Sequence, residues 1–338
     1  MNIVEPSVQS CEVEGLKKIE LIGKVCTKQE SNITDDSYLS FCKNRLLDGH
    51  TSIFEHEFVY FHIGQLTKQE KQDLKTLQPH IHFSIDGKYC GLSYRSLIDI
   101  LYEDSDMMFM RKNLCADVQN TYCLLYAMLL YTDELLKLFD ETDDLRKEII
   151  KYKTSNYHVS RIVRINKDVI FAHAIEIYLV TYKLTTDRGV SHEAVRHRDM
   201  SFNQESTRWC NYNKDRFGHH LNIIIPPFNN DANIDILSDE IVLIEQAYKD
   251  LTNRGETASL ARSVLPNCLK TDIYISGTVA MWKGETCSIN QINNAQFNFE
   301  IREQKGFLPQ RCGKNAHPQI KELADKIAED LRLKGFIQ

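Results

Sequence analysis

The feature that most constrains this chain is a stretch of charged and polar side chains in its middle, over residues 187–212. Its densest part begins with Arg196-His197-Arg198 and ends at Arg208, and it holds three arginines, one histidine, two side-chain amides and a Ser-Thr pair. Long charged side chains are rarely fully buried unless they are paired. The chain must therefore fold so that this stretch lies at a surface or in a binding site. We expect a helix that ends near Arg198, followed by an ordered polar loop.

The chemistry of these side chains is that of an anion site. Arginine forks match pairs of phosphate oxygens, and hydroxyls, amides and loop N–H groups can complete the set of donors. The stretch therefore predicts a site for one or more phosphorylated ligands. The alternative is a solvated helix end whose loop is held by salt bridges to Asp199 and Glu205. Composition alone does not decide between these two interpretations.

Charge and glycine spacing exclude other classes of site. The chain of 338 residues carries 41 Lys+Arg against 47 Asp+Glu, a formal net charge of −6, so no general attraction draws it to nucleic acid or to an anionic membrane. Its 14 glycines never occur as G-x-G, so neither the Rossmann fingerprint nor a Walker loop is present. We therefore expect no nucleic-acid partner and no membrane partner.

Cysteine use and hydropathy predict a cytoplasmic protein with reduced thiols. The ten cysteines form no C-x-x-C pair, and the chain does not open with a basic and then apolar secretory signal. The longest apolar run, residues 122–131, is about half of the ~20 residues that a membrane-spanning helix needs. His50, His56 and His62 recur every six residues, a wider spacing than zinc sites use, so we expect no metal.

Hydrophobic periodicity predicts both strands and helices along the chain. We expect strands at residues 17–25, 56–63 and 221–225, and leave residues 168–184 open between strand and helix. Predicted helices cover residues 34–47, a segment capped by Ser238 with Ile241, Ile244, Tyr248 and Leu251 on its apolar face, residues 256–265, and a last helix capped by Asn315. Residues 65–160, with a long helical stretch at 115–139, read as a helical insertion, and residues 284–306 as a polar surface excursion.

Five blocks of the chain together resemble one enzyme family. R-H-R-D-M-S-F-N-Q-E-S-T-R, which begins at Arg196, resembles the signature of the flavin-dependent thymidylate synthases. H-T-S-I-F-E-H at residues 50–56 and R-G-V-S-H-E at 188–193 also fit that family, as do E-T-A-S-L-A-R-S-V-L-P-N-C-L-K-T at 256–271 and F-L-P-Q-R-C-G-K-N-A-H-P-Q-I at 307–320. The blocks stand in the family's order and cover about half of the chain. Such collinear agreement is far more specific than one short motif.

The resemblance implies a fold and a reaction. The fold would be α/β, a single domain over residues 1–338 with a mixed sheet flanked by helices, and the assembly would be a homotetramer with its sites at subunit interfaces. The enzyme would methylate dUMP at C5 to give dTMP. Methylenetetrahydrofolate would supply the carbon, and NADPH would reduce a bound FAD that delivers hydride, so the cofactor would carry the redox chemistry.

The resemblance also implies a role for individual residues. The residues that would contact FAD are Ser52, Arg196, His197, Arg198 and Gln204. The residues that would contact the substrate are Glu193, Arg196, Gln204, Glu205, Ser206, Thr207, Arg208, Arg262 and Arg311. Among these, Ser206 and neighbouring N–H groups would hold the phosphate. Arg311 would be the catalytic residue, since a cation beside the pyrimidine stabilises negative charge that develops there.

The chain departs from the family where two flavin contacts are expected. Thr278 and Ala280 stand close to positions that the family fills with an Asn amide and an Arg fork. We expect a rebuilt flavin pocket, to which Asn290, Asn293, Asn294 or Arg302 could contribute. The alternative is a non-catalytic nucleotide-binding or regulatory homologue that has lost flavin, and a weaker third is RNA binding through the Arg-rich loop. Cys210, which could suggest a thiolate nucleophile, is expected to be structural.

Overall fold

The computed structural model describes residues 2–77, 80–102, 124–125, 127–139, 161–284 and 306–338. Residues 115–123 and 126 of the predicted helical stretch at 115–139, residues 140–160 at the end of the predicted insertion, and nearly all of the polar excursion at 284–306 lie outside the described residues. The same holds for Asn290, Asn293, Asn294 and Arg302, which were expected to complete a flavin pocket.

The described residues form three sheets flanked by helices, which confirms the α/β class. The strands are β1 Asn2–Ile3, β2 Ser7–Ser10, β3 Phe58–His62, β4 His82–Phe83, β5 Tyr89–Ser93, β6 Val163–Ile165, β7 Leu179–Asp187, β8 Ser201–Gln204, β9 Asn222–Ile223 and β10 Lys270–Thr278. One four-stranded sheet has the order β2-β7-β10-β8 and a second the order β4-β5-β3-β6, both antiparallel throughout. The short pair of β1 with β9 is parallel, so the strands are mixed in direction.

Twelve α-helices are described with both ends. They are α1 Gly15–Val25, α2 Ser37–Leu47, α3 Lys68–Leu77, α4 Tyr94–Tyr102, α5 Asp133–Leu136, α6 Lys167–His173, α7 Arg188–Ala194, α8 Ala232–Asn253, α9 Ala258–Ala261, α10 Val279–Lys283, α11 Phe307–Arg311 and α12 Pro318–Leu333. Residues 124–125 and 127–130 are also helical. Short 3-10 helices cover Glu30–Asn32, Thr51–His56, Ile175–Ile177, Asp215–Phe217 and Arg262–Val264.

The sheet β2-β7-β10-β8 carries the central core. Each residue of β10 is buried, and β7 pairs with it along nine residues, from Lys270 opposite Asp187 to Thr278 opposite Leu179. Helix α12 covers this sheet with a stripe at helical spacing, as the sequence predicts, and the stripe comprises Ile320, Leu323, Ala324, Ile327 and Leu331. Between sheet and helices, Trp282 packs edge-on against Tyr182 and Phe307. This core fixes α10, α11 and α12 on the sheet.

The predicted strand at residues 17–25 is wrong, because this segment is helix α1. Its apolar residues Leu16, Ile19, Ile22 and Val25 stand three apart and are all fully buried, so they line one face of a helix. The short alternation within K-K-I-E-L-I-G-K-V had indicated a strand, since over so few residues both periods fit. Helix α1 lies between the two large sheets, and its first and second halves belong to different core clusters.

Two predicted helix starts are also wrong. Helix α8 begins at Ala232, six residues before Ser238, and α12 begins at Pro318 after His317 rather than at a cap by Asn315. The first turn of α8 buries no residue, so hydrophobic periodicity gave no signal for it. The apolar face predicted from Ile241 and Tyr248 is confirmed, because both are buried. In α12 the residue before the helix, His317, makes no side-chain cap, and Pro318 at the first helical position lacks an N–H that would need a partner.

Several other elements are confirmed with shifted ends. The predicted strand at 56–63 is β3, the helix at 34–47 is α2, and the helix at 256–265 is α9 with the following 3-10 turn, ahead of Pro266. The open segment at 168–184 contains both types, since α6 and a 3-10 turn precede β7. The strand at 221–225 is shorter, as β9. The described part of the predicted insertion contains strands β4 and β5 as well as helices, because β5 pairs with β3.

No helix within the described ranges is both long enough and apolar enough to cross a lipid bilayer.

Gly15, at the start of α1, has a positive φ, and Gly49, which also has a positive φ but no close neighbour, serves as its control. Gly15 has φ of 65°, and a Cβ there would overlap the carboxylate of Glu134, whereas Gly49 has φ of 71° with nothing within 4 Å. We predict that Gly49→Ala costs about 1–2 kcal/mol of unfolding free energy through backbone strain alone. Gly15→Ala should cost about 2–4 kcal/mol, because Glu134 must also leave the helix end. Urea unfolding of both variants measures the difference, and equal losses would contradict this account.

Candidate active site

The site elements begin at one end of the central sheet. Asp187, the last residue of β7, caps α7 by accepting a hydrogen bond from the Val190 N–H at 2.7 Å. Asp187 lies opposite Lys270, the first residue of β10. At the same end the Glu205 N–H, just after β8, donates to the Asp272 carbonyl at 2.9 Å. Helix α7 and the loop after β8 therefore leave the sheet side by side.

The polar stretch 187–212 is divided by a strand that the sequence did not indicate. Helix α7 ends at Ala194, residues 195–200 form a turn, and β8 then pairs with β10 before the loop at 205–210. Four residues of strand span about 13 Å at ~3.3 Å each. The turn with Arg196 and Arg198, both exposed, thus lies at one end of β8 and Ser206 at the other. The predicted continuous loop is in fact two separate groups of donors.

Three of the predicted residues meet directly. Arg311, at the end of α11, donates from Nη1 to the Glu193 carboxylate, from Nη2 to the Glu193 carbonyl at 2.9 Å, and from Nε to Nε2 of His197 at 3.1 Å. The Arg311 side chain is only 12% exposed, so these bonds fix its orientation. A guanidinium has five N–H groups. With three engaged among the described residues, two remain to donate to a ligand.

The contact with Arg311 determines the state of His197. Because the Arg311 Nε–H can only donate, Nε2 of His197 must accept, which places the imidazole proton on Nδ1. Burial, together with the positive charge of Arg311, lowers the pKa of His197 to about 4. The ring also packs on Phe307, with centroids 4.9 Å apart. His197 is therefore a neutral, oriented ring at neutral pH.

Gln204 is held by two hydroxyl groups. Its Nε2 donates to Ser191 Oγ at 2.6 Å and to Thr271 Oγ1 at 3.1 Å, so both amide N–H groups are engaged. This amide orientation is assigned from the hydrogen bonds. The Gln204 carbonyl oxygen is then left to accept from a ligand. Since Ser191 lies on α7 two residues before Glu193, Gln204 and the Arg311 cluster are set by the same helix.

Glu205 lies inside the protein rather than at a binding surface. Its carboxylate is 2% exposed and accepts from Tyr212 Oη at 3.0 Å and from Lys270 Nζ at 3.3 Å. Its carbonyl accepts from Arg188 Nη1 at 3.0 Å. Within this chain, the predicted substrate contact of Glu205 is thus taken up by internal partners. These bonds anchor the start of the loop at 205–210 to the interior of the protein.

The loop at 205–210 presents hydroxyl and guanidinium groups rather than a row of free N–H groups. The Ser206 N–H donates to the Cys26 carbonyl at 3.0 Å, and the Arg208 N–H donates to Ser206 Oγ at 3.3 Å. The Ser206 hydroxyl proton remains available to a ligand. Thr207 is buried, whereas Arg208 is exposed beside Trp209, which is 66% exposed.

A cluster of charges beneath this loop was not anticipated. Asp272 pairs with Lys270 and with Lys28 at 2.9 Å, and it accepts from Thr185 Oγ1 at 2.8 Å. Burial alone would raise the pKa of Asp272, but the two lysines hold that pKa well below its usual range. Lys183 lies 3.6 Å from the same carboxylate. The lysines, spread over three segments of sequence, offer no local pattern from which this cluster could be predicted.

Other predicted residues stand apart from these groups. Ser52 is exposed on the 3-10 helix Thr51–His56, and Arg262 is exposed on the turn after α9. Neither forms a hydrogen bond with the other predicted residues in the described part of the chain. The 3-10 helix is anchored by buried His56, whose Nδ1 lies 2.7 Å from Ser276 Oγ on β10, and burial lowers the pKa of His56 to about 3.

Ser191, Thr271 and Asp187 are positioning residues that the sequence reading missed. Asp187, three residues ahead of the N–H that it caps, is a helix-start signal that was available. Ser191 lies within the recognised block R-G-V-S-H-E, but only the β8–β10 register brings it and Thr271 to Gln204. The register could not be read from local sequence.

Thr278 and Ala280 face the interior. Thr278 is 2% exposed and accepts from the Met281 N–H at 3.3 Å as the cap of α10, and Ala280 is 5% exposed. In this chain these two positions belong to the core. Cys210 is fully buried, and burial followed by the charge of Glu205 raises the pKa of its thiol to about 12, which suits a structural residue. Across the described residues, no group of three His, Cys, Asp or Glu side chains is arranged to hold a metal.

Comparison with known proteins gives a family match over the middle of the chain. The model of the family described as "Thymidylate synthase complementing protein" matches residues 117–299. The chain is 23% identical over 150 residues to a flavin-dependent thymidylate synthase of Mycobacterium avium, covering 39% of this chain and 56% of that one. It is 24% identical over 186 residues to the enzyme of the same name from Pyrococcus furiosus, covering 54% and 64%.

The matched part of the chain thus spans between about half and two thirds of the length of these two relatives. Among solved structures, the chain is similar to a UMP/dUMP methylase, PolB from Streptomyces cacaoi, bound with 5-Br dUMP. The identity is 11%, the TM-score 0.37, and the match covers 98% of this chain and 93% of that one.

The lowered pKa of His197 predicts a pH dependence of stability. A histidine whose pKa falls from its ordinary 6.5 to about 4 on folding stabilises the protein fully above pH ~6.5, and this stability is lost as the pH falls toward 4. His197→Asn removes the titration and keeps an acceptor for Arg311. We expect the loss of unfolding free energy from pH 7 to pH 5 to be smaller in this variant than in the wild type. Identical losses would contradict the assignment.

Proposed function

The chain belongs to the thymidylate synthase complementing protein family, and on this premise we propose that it is a flavin-dependent thymidylate synthase. It would methylate dUMP at C5 to give dTMP, with methylenetetrahydrofolate as the carbon donor and NADPH as the source of electrons. The observation that carries the proposal is the Arg311 guanidinium, fixed by Glu193 and His197 with two N–H groups left over. An arginine held in this way fits the task that the reaction sets.

That task is to make C5 of a uracil ring nucleophilic. Electron density increases at C5 when the ring becomes enolate-like, and the negative charge of that enolate is shared with a ring carbonyl oxygen. The enzyme must therefore stabilise negative charge on that oxygen. A fixed cation does this without reorganising during the reaction, which is the electrostatic form of catalysis. We assign this role to Arg311. Glu193 and neutral His197 orient the guanidinium, and Gln204 offers a carbonyl oxygen that can accept from the ring N–H.

The loop at 205–210 fits the phosphate of the nucleotide. Ser206 offers a hydroxyl donor, and exposed Arg208 offers a guanidinium with charge to match. The charge cluster of Lys28, Lys270 and Asp272 holds the start of the loop, because both lysines also pair with Glu205. Because Glu205 is committed to that cluster, we propose that it supports the loop and does not itself contact the phosphate.

The donor set on the turn at 195–200 fits FAD in part. Arg196 and Arg198 are exposed and can pair with the pyrophosphate of a dinucleotide, with His197 between them and Ser52 available from the 3-10 helix. When bound and reduced, FAD supplies the hydride that completes the methyl group. In this proposal the exposed residues of the turn hold and orient FAD, and Thr278 and Ala280 do not contribute because they are buried.

The separation of donors along β8 supports an assembly in which chains share sites. One phosphate cannot meet both Arg196 and Ser206 of one chain if about 13 Å of strand lies between them. Two anionic groups, or the loop of one chain and the arginines of another, would satisfy both. We propose a homotetramer with sites at its interfaces, to which exposed Arg262 can contribute. The single domain over residues 1–338, the insertion at 65–160, the excursion at 284–306 and the cytoplasmic location stay predictions.

A second candidate function is a nucleotide-binding homologue that does not catalyse. The observation that favours it is the burial of Thr278 and Ala280, which removes two side chains from any flavin pocket. This protein would bind dUMP through the Ser206 loop and would take up no flavin. The two candidates differ in one inexpensive measurement.

That measurement is the absorbance spectrum of the purified protein from the near-ultraviolet to the blue, before and after addition of FAD. The enzyme should show flavin bands that remain after gel filtration, and it should oxidise NADPH in a reaction that depends on dUMP and methylenetetrahydrofolate. A protein that stays colourless and inactive after FAD is added would falsify the enzyme hypothesis. Tight dUMP binding by that colourless protein would favour the second candidate.

Arg311→Ala tests the catalytic assignment. Removal of a fixed charge that acts on the transition state lowers kcat about 100-fold or more. We therefore expect this loss in turnover, with the flavin bands and the melting temperature nearly unchanged. Arg332→Ala, which removes an exposed arginine of α12, is the matched control and should keep wild-type turnover. Near-normal turnover by Arg311→Ala would refute the role.

Ser206→Ala tests the phosphate loop. Loss of a hydroxyl donor to a charged phosphate should weaken dUMP binding about tenfold, because hydrogen bonds to charged groups contribute more than neutral ones. The loop itself should persist, since the Ser206 N–H still donates to Cys26. Isothermal titration with dUMP measures the affinity, and Ser40→Ala on α2 is the control. Unchanged affinity for dUMP would remove Ser206 from the site.

A further inference from the structure

Helix α1 is shared between two parts of the core. Leu16 and Ile19, in its first half, pack in a cluster with Leu125 and Met128 from the helical segment before α5. Ile22 and Val25, in its second half, pack against Tyr274 of β10. Eleven helical residues span about 16 Å. The helix therefore physically connects residues 124–139 with the central sheet.

The N-terminal end of α1 is held by carboxylates from elsewhere in the chain. The Leu16 N–H donates to Oε1 of Glu134 at 2.8 Å, and the Gly15 N–H donates to Glu57 at 3.3 Å. The other oxygen of Glu134 accepts from the Tyr94 hydroxyl at 2.7 Å. The first N–H groups of a helix lack partners within it and carry partial positive charge, so two carboxylates there stabilise the end.

Gly15 makes this contact possible. It has a positive φ, and the Glu134 carboxylate occupies the space that a Cβ would fill. Glu134 lies on α5, 118 residues after Leu16 in the sequence, and Tyr94 orients it from α4. Three separate segments thus meet at the start of α1. The positive φ of Gly15, the Glu134 carboxylate and the Tyr94 hydroxyl together fix Glu134 against the first N–H groups of α1.

The C-terminal end of α1 holds the proposed phosphate loop. The Ile22 carbonyl accepts from the Asn203 amide of β8, and the Cys26 carbonyl accepts from the Ser206 N–H at 3.0 Å. The Cys26 carbonyl also accepts from the Cys210 thiol at 3.5 Å. Both ends of the loop are therefore fixed to the last carbonyls of α1. Lys28, two residues on, reaches Asp272 beneath the loop.

We propose that Glu134 is a positioning residue for the loop at 205–210 and acts through α1. The proposal rests on the proposed function for the part that concerns dUMP, but the connection of Glu134 to the loop does not. Removal of the cap lets the first turn of α1 fray and lets the helix shift along its axis. The carbonyls of Ile22 and Cys26 shift with it, and the bond to the Ser206 N–H weakens.

The test compares Glu134→Ala with a control that weakens the same region without touching α1. Glu70→Ala is that control, because Glu70 caps the start of α3 by accepting from the Thr67 N–H at 2.7 Å and pairs with Arg161. Amide hydrogen exchange of the peptide that covers residues 203–210 is the first readout, since exchange reports local opening. The dUMP affinity and kcat of the full-length protein are the second.

We expect Glu134→Ala to raise exchange in this peptide about tenfold, the effect of losing a helix cap of ordinary strength. The KM for dUMP should rise by a similar factor with kcat unchanged, because Arg311 is held by other residues. Glu134→Gln, which keeps an acceptor for the Leu16 N–H, should restore most of both properties. Tyr94→Phe should give a smaller effect in the same direction. Glu70→Ala should lower the melting temperature and leave both readouts at wild-type values.

Unchanged exchange in the 203–210 peptide of Glu134→Ala, together with a lowered melting temperature, would reduce Glu134 to a structural residue and overturn the proposal. An equal rise in exchange with Glu70→Ala would overturn it as well, since it would show general loosening. If Glu134→Ala does not fold, Tyr94→Phe and Glu134→Gln decide by the same readout. If wild-type protein does not bind dUMP, the proposed function fails, and the exchange measurement still decides the connection.

Discussion

The arrangement of the site depends on the nine-residue pairing of β7 with β10. Because Asp187 is the last residue of β7 and lies opposite Lys270, helix α7 must start at the same end of the sheet at which β10 begins. Strand β8 pairs with the other edge of β10 and ends one residue before Glu205. A slip of one residue in either pairing would turn Gln204 away from Ser191 and Thr271. The sheet register, rather than any loop, brings the polar groups together.

The site uses bonds within the chain to hold the groups that face a ligand. Arg311 is oriented by Glu193 and His197, Gln204 by two hydroxyls, and Ser206 by a carbonyl of α1. Arg311 keeps two N–H groups, Gln204 its side-chain carbonyl oxygen and Ser206 its hydroxyl proton for a ligand. Their other polar groups form hydrogen bonds with neighbouring residues. Such preorganisation lowers the cost of binding, since the groups need not be ordered again. It also explains why the supporting residues lie in four different elements.

Much of the site could be predicted from the sequence, because charged and polar side chains in the middle of a chain must be accounted for. The recognised blocks gave Arg311 and Glu193 as substrate contacts and His197 as a flavin contact, and the direct contact among the three emerges only in the structure. What could not be predicted depends on pairing between distant segments. Strand β8 lies within a stretch whose polarity suggested a loop, and only its bonds to β10 make it a strand. The resemblance made Glu205 a substrate contact, whereas the alternative of a salt-bridged loop fits its position in the structure, where it pairs with Lys270, 65 residues away in sequence.

The error at α1 has the same origin. K-K-I-E-L-I-G-K-V fits both a strand and a helix over its short length. The helix is decided by packing of its apolar stripe against distant segments of the core, and Glu134, more than a hundred residues later, caps it. The helix at 34–47 and the last helix were predictable, because their apolar residues repeat over several turns. Local patterns therefore found long helices such as α8 and α12, but they missed α1 and the nine-residue strand β10, and they left the segment of β7 undecided. Those three elements depend on contacts between distant segments.

The Arg311 guanidinium has a consequence for which pyrimidine the site can accept. Its remaining nitrogen groups can only donate, and no acceptor on that side chain can change this at any accessible pH. A uracil ring presents carbonyl oxygens at positions 2 and 4, so either edge finds a matching partner. Cytosine replaces the oxygen at position 4 with an amino group, whose hydrogens would face those of the arginine. In the proposed function, an Arg311 guanidinium that faces position 4 would donate to the uracil oxygen and disfavour the amino group of cytosine, so the polarity of one side chain would select between the two bases.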